Sequence, residues 1–249
     1  MRLSVGSRTF KLRWTRIFFW LVVLLLGLGL LAFGRQVWLS YQAIRSGASN
    51  PMLDQQLNAS ISDLQANAVV TPDDLARLAS PDAPSTGPAN ARLTVVVFID
   101  YGCPYSLDSA QPIRRLAQKY ADQVRFIIRD FPIDDLHPGA SVAAIAARCA
   151  QEQGRFWPYF DQLFAHQGKF EDADLAGYAK TVGLDATNFQ ACYTARTPEH
   201  LVLQDMRDAL RGGTSGTPTF FFNGVKIEGG LNENLLEYLI KYFLGQKTK

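Results

Sequence analysis

Of the three cysteines in this 249-residue chain, one stands where sulfur chemistry is readily made. Cys103 lies in Gly102-Cys103-Pro104-Tyr105-Ser106, after an almost continuous β-branched run from Leu93 to Ile99 and before a helical stretch reaching Tyr120. A cysteine at a strand's end and a helix's start faces unpaired N–H groups and the positive end of the helix dipole, which favour thiolate over thiol. The thiolate is the attacking species in disulfide exchange. Pro104 suits the first turn of such a helix, and Pro112 further along should bend it. The bland alternative for Cys103 is one more small buried hydrophobe. His137, His166 and His200 show no metal-ligand spacing to one another or to a carboxylate pair, so neither a metal nor another cofactor is expected.

The elements that must position this sulfur are read from hydrophobic periodicity. The runs Leu93–Ile99 and Val124–Ile128, with a helix over Asp108–Tyr120 between them, form a strand-helix-strand unit, which predicts parallel strands buried on both faces and a right-handed crossover. Residues 139–212 read as a helical insertion: Ser141–Ala150, Phe156–Phe164, Asp172–Thr181, Asp185–Thr194 and Pro198–Leu210, separated by Gly or Pro. Trp157, Tyr159, Phe160 and Phe164 recur at helical intervals and read as core. Thr219–Phe222 and Val225–Ile227 flank Asn223-Gly224, a strong hairpin signal, and an amphipathic helix follows from Asn232 to Phe243. The predicted class is α/β: βαβ, a helical insertion, then ββα.

Two separated segments then resemble one family. Phe98-Ile99-Asp100-Tyr101-Gly102-Cys103-Pro104-Tyr105 is similar to the active-site segment of the DsbA family of bacterial thiol:disulfide oxidoreductases, thioredoxin-fold proteins with a helical insertion. Gly216-Thr217-Pro218-Thr219 through Gly224 resembles that family's cis-proline loop and the hairpin after it. The likeness runs from about residue 91 to 246 and takes in Phe131-Pro132, His137-Pro138 and Gly154-Arg155-Phe156-Trp157. It implies that Cys103 is catalytic, that Thr217-Pro218 is a cis peptide beside it, and that Pro104, Tyr105, Thr217 and Pro218 meet an extended substrate, the Thr217 backbone pairing with it as a strand would. Where the family has Cys-x-x-Cys, this chain has Ser106, whose hydroxyl cannot attack a disulfide. Exchange can begin here but cannot be resolved within the motif. Ser106 remains able to donate a hydrogen bond to the Cys103 thiolate. Val97 stands where some members carry an acid that assists proton transfer, and Asp100 is the nearest carboxylate, either a replacement for it or a plain loop residue.

For Cys149 and Cys192 the resemblance implies a structural disulfide within the insertion. Spacing alone leaves open two reduced core thiols, or one of them reaching Cys103 as a resolving thiol.

The N-terminus sets the compartment. Ile17 to Phe33 carries no charge and, with flanking residues, is long enough to cross a bilayer core, Arg16 and Arg35 bracketing it and Trp14, Trp20 and Trp38 near its ends. Residues 17–34 are expected to be a retained anchor, a cleaved signal peptide being the alternative. Five basic residues within 1–16 hold that tail in the cytoplasm and place the rest outside the inner membrane, where disulfides persist. Those five of the 25 basic residues leave 20 against 23 acids for the remainder, which argues against a nucleic-acid partner. Residues 35–90 read as a stalk with short helices at 57–64 and 72–78, and 91–249 as the folded domain.

The sequence therefore points to a membrane-anchored, extracytoplasmic monothiol exchange protein in the periplasm or at the cell exterior. Its partners would be cysteine-containing proteins and an external thiol or membrane redox partner. The rival reading is a redox-silent module that binds polypeptide.

Overall fold

The long apolar runs of the second half do become a covered sheet. The computed structural model describes residues 72–245, together with Trp20, Gly27, 29–35 and Trp38. Helix α1 spans Pro72–Leu78, strand β1 Ser85–Thr86, β2 Leu93–Ile99, α2 Pro104–Lys119 and β3 Val124–Asp130. The insertion contributes α3 Ala140–Glu152, α4 Phe156–Ala165, α5 Asp172–Thr181, α6 Ala186–Thr194 and α7 Glu199–Arg211. Strands β4 Thr219–Phe222 and β5 Val225–Glu228 and helix α8 Glu233–Gly245 complete the chain.

The sheet order is β1-β3-β2-β4-β5. Strands β2 and β3 pair in parallel, Leu93 opposite Val124 through Ile99 opposite Asp130, while β4 runs antiparallel to β2 and β5 antiparallel to β4. Only one residue of seven in each of β2 and β3 escapes full burial, as expected of strands covered on both faces. On one face Leu78, Val96, Phe98, Ile127, Ala209 and Phe221 form a core beneath α1 and α7. On the other, the Phe222 ring stacks on Phe243 of α8 at 5.1 Å. The β4–β5 hairpin turns through Asn223 (φ 46°) and Gly224 (φ 91°), the left-handed pair that a two-residue turn between twisted strands demands.

The folded part begins earlier than the linker chemistry of residues 72–90 implies. Leu78 and Ala83 are buried in the core, and Ser85–Thr86 add an antiparallel edge strand to β3. A buried charge cluster accounts for this. Arg129 of β3, fully buried, donates to the backbone carbonyls of Arg77 (2.8 Å) and Leu78 (2.7 Å), to Asp205 (2.6 Å) and to Asp208 (2.8 Å). Arg148 of α3 donates to the Asp82 carbonyl (3.0 Å), to Asp130 (2.6 Å) and to Asp205. A guanidinium removed from water must fill its donors, and these two do so partly with carbonyls of 77–82.

The N-terminal unit, Met1–Asp63, is separate from the unit Leu64–Lys249. Its described residues are helical, with Trp20, Leu30, Leu31, Phe33 and Trp38 exposed. Among the described residues no helix is long and apolar enough to cross a membrane. The basic tail 1–16, most of the expected anchor 17–34 and the expected helix at 57–64 lie outside the described residues.

Candidate active site

Strand register brings the two distant motifs together. Because β4 runs antiparallel to β2 with Phe98 opposite Thr219, the start of β4 lies beside the end of β2, and the loop before β4 meets the loop after β2. Thr217-Pro218 is a cis peptide in that loop. Cys103 occupies the N-cap position of α2 (φ −77°, ψ 124°), Pro104 follows at the start of the helix, and the Cys103 thiol donates to the Thr217 carbonyl at 3.2 Å. Helix α2 begins at Pro104, a turn ahead of the Asp108 start that periodicity suggests, and continues through Pro112. Cys103 is only 4 % exposed, whereas Tyr105 next to it is 63 % exposed and Leu136, in the β3–α3 loop, is 68 % exposed.

The loop carrying Cys103 is held from two sides. On one, the buried Asp100 carboxylate accepts from the Gly102 amide (2.7 Å), the Ile133 amide (2.9 Å) and His137 Nδ1 (2.8 Å). The His137 side chain packs so closely on Gly102 that a Cβ there would run into it. On the other side, the Gln167 amide donates to the carbonyls of Tyr101 (2.9 Å) and Cys103 (3.0 Å). The Tyr101 ring is wedged against Phe160 and Phe164 of α4, at 6.0 and 5.2 Å between centroids. Burial pushes the Tyr101 phenol well above its ordinary pKa, with Asp130 adding to the effect, so it stays protonated.

Ser106 is fully buried, and its hydroxyl accepts from the Asp100 amide at 3.4 Å, while the Cys103 thiol donates to the Thr217 carbonyl. Asp100 is no plain loop residue but the acceptor that organises the turn. His137, which shows no metal-ligand spacing in the sequence, is its partner. Gln167 has no signal in the sequence: it is one polar residue in a loop, and only the path of α4 turns it toward Cys103.

The remaining cysteines are joined. Cys149 of α3 and Cys192 of α6 form a disulfide with α-carbons 5.9 Å apart, leaving Cys103 as the free thiol. A bridged pair has no sulfur to offer as a resolving thiol. Among the described residues no group of His, Cys, Asp or Glu is arranged to hold a metal ion.

The thioredoxin family model matches residues 79–242. Among curated sequences the chain is 38% identical over 164 residues to the Na(+)/H(+) antiporter NhaA 1 of Salinispora arenicola, covering 66% of this chain and 25% of that protein. It is 34% identical over 143 residues to the Na(+)/H(+) antiporter NhaA of Herminiimonas arsenicoxydans, covering 57% and 22%. The chain thus spans about a quarter of the length of the curated relatives it matches. Among solved structures, a thioredoxin-like oxidoreductase from Silicibacter pomeroyi superposes with TM-score 0.61 and 29% identity, covering 69% of this chain and 96% of that one. The thiol-disulfide exchange protein alpha-DsbA2 of Wolbachia pipientis gives 0.60 at 21%, covering 78% and 99%. Oxidised BdbD of Bacillus subtilis gives 0.58 at 22%, covering 66% and 94%.

Proposed function

The chain belongs to the thioredoxin family, with a DsbA-like fold, and from that premise we propose that it performs thiol–disulfide exchange through Cys103 alone. The observation that carries this reading is the placement of its one free thiol at the N-cap of α2, 3.2 Å from the carbonyl of the cis Thr217-Pro218 peptide. The Cys103 thiolate attacks one sulfur of a client disulfide. The client S–S bond breaks, a Cys103–client disulfide forms, and the departing client sulfur takes a proton from solvent. Once the thiol proton is gone, the Thr217 carbonyl is free to accept an N–H from an extended client, with exposed Pro104 and Tyr105 on the near side. With serine at 106 and the other two cysteines bridged, resolution falls to the client's own second thiol, giving isomerisation, or to an external thiol, giving reduction.

The setting proposed is the bacterial inner membrane, with residues 17–34 as a single-pass anchor and the thioredoxin domain in the periplasm or at the cell exterior. The uncharged run Ile17–Phe33 and the basic residues before it support this. So does the Cys149–Cys192 disulfide, which persists in oxidising compartments. Clients would be extracytoplasmic proteins with cysteines, and the electron donor an external thiol or a membrane redox partner.

The 4 % exposure of Cys103 favours a second reading, a redox-silent module that binds extended polypeptide at the cis-proline edge. Trapping separates the two. Cells producing the full tagged chain are quenched with N-ethylmaleimide and resolved on non-reducing gels. Exchange predicts reducible adducts that vanish in Cys103→Ala, whereas clients that co-purify without any adduct would establish the silent module.

A further inference from the structure

Resting on that reading of Cys103, we infer that Gln167 is a positioning residue for the reacting sulfur, through which the helical insertion sets the geometry of the thiol. The inference starts from how the backbone of the Cys103 turn is satisfied. Its N–H groups are taken from the strand side: Gly102 by the Asp100 carboxylate at 2.7 Å, and Cys103 by the Asp100 carbonyl at 3.1 Å. Two of its carbonyls, Tyr101 and Cys103, point the other way and are both met by one amide, Gln167 Nε2, at 2.9 and 3.0 Å. These residues are 66 and 64 positions apart in the chain, so no local turn makes the contact.

Gln167 lies in the segment joining α4 to α5, directly after the helix whose Phe160 and Phe164 grip the Tyr101 ring. The insertion thereby holds both the side chain of Tyr101 and the carbonyls on either side of Gly102. The Cys103 carbonyl also accepts the first helical bond, from the Leu107 amide at 3.1 Å, so Gln167 pulls on the same oxygen that starts α2. A neutral two-pronged donor at this point keeps Cys103 at the N-cap of α2 (φ −77°, ψ 124°), the end at which the helix dipole is positive, with its thiol 3.2 Å from the Thr217 carbonyl. Gln167 does not touch the sulfur; it acts through the turn.

Gln167→Met keeps the length without the donor, Gln167→Glu replaces the donor with an anion facing two carbonyls, and Gln167→Lys restores a donor of similar reach. The readouts are the rate of iodoacetamide alkylation of Cys103 at pH 7 in the full chain, and in parallel the equilibrium Cys103–SH + GSSG giving Cys103–S–SG + GSH. Positioning predicts that Met and Glu slow alkylation at least roughly fivefold, about 1 kcal/mol of barrier, with Lys within about twofold of wild type. A merely structural role gives the opposite sign, because loosening the turn exposes a buried thiol and speeds alkylation. An unchanged or faster rate in both Met and Glu overturns the inference. A wild-type Cys103 that alkylates but forms no glutathione adduct overturns the exchange reading alone, since the Gln167 comparison is still read from alkylation. A wild-type thiol inert to both reagents overturns both.

Discussion

Ser106 decides what this site does with a client once it is caught. The side chain is buried completely and the bond its hydroxyl accepts from the Asp100 amide is long at 3.4 Å, so exchanging the hydroxyl for a thiol disturbs little. Ser106→Cys should therefore supply the missing resolving sulfur and lower trapped adducts roughly tenfold, read on non-reducing immunoblots against wild type. Adducts at the wild-type level in that variant would mean that a sulfur at 106 does not reach the mixed disulfide. At Gly102, by contrast, contact dictates the residue. It packs on His137, which is itself bonded to Asp100 at 2.8 Å, so even a methyl group must displace the imidazole. Gly102→Ala should cost about 1 to 3 kcal/mol by overpacking, measured by urea unfolding, and should raise the flexibility of the Cys103 turn. A stability equal to wild type would show that the turn yields freely.

Between elements, the attachments outside the sheet matter most. Arg129 ties α1 and α7 to β3, and removing its guanidinium leaves Asp205 and Asp208 short of a partner and the Arg77 and Leu78 carbonyls without this donor. Arg129→Met is expected to lose about 3 to 5 kcal/mol and to free residues 72–86 from the sheet, visible as faster amide exchange at Ser85 and Thr86. Protection unchanged at those two amides would place their stability in the β1–β3 pairing instead. The disulfide joins α3 to α6 across a separation of 43 residues. On the loop-entropy account its removal in the Cys149→Ala, Cys192→Ala double variant costs about 4 kcal/mol, read as a lower urea midpoint. A midpoint matching wild type would show that helix packing alone holds the insertion.

For the domain as a whole, pH response follows from two carboxylates displaced in opposite directions. Burial, with Asp130 alongside, outweighs the two arginines and pushes Asp205 up to about 6. Its contribution to stability is thus full below its unfolded value and is lost as pH rises through about 6. Glu237, bonded to Lys241, Lys119 and Tyr120, is drawn down to about 2, so its contribution is present above the usual carboxylate range and is lost as pH falls toward 2. Together they predict greatest stability near pH 4 to 5 and a decline toward pH 6, measured as urea midpoints in steps of half a unit. Stability rising steadily from pH 4 to 7 would show that Asp205 is ionised throughout.

Much of this architecture was written in one dimension because it depends on neighbours along the chain. The runs at Leu93–Ile99 and Val124–Ile128 announce strands covered on both sides, Asn223-Gly224 announces its turn, and glycine or proline punctuation marks the insertion helices to within a residue or two. Cys103 was legible for the same reason, since strand end and helix start are local properties. What surrounds that sulfur was not. The thiol meets Thr217, 114 positions away, while Asp100 meets His137 across 37 and Gln167 reaches Cys103 across 64. Side chains that satisfy buried polar backbone carry no periodicity, so their partners exist only once β4 has paired with β2 and the insertion has closed over the turn.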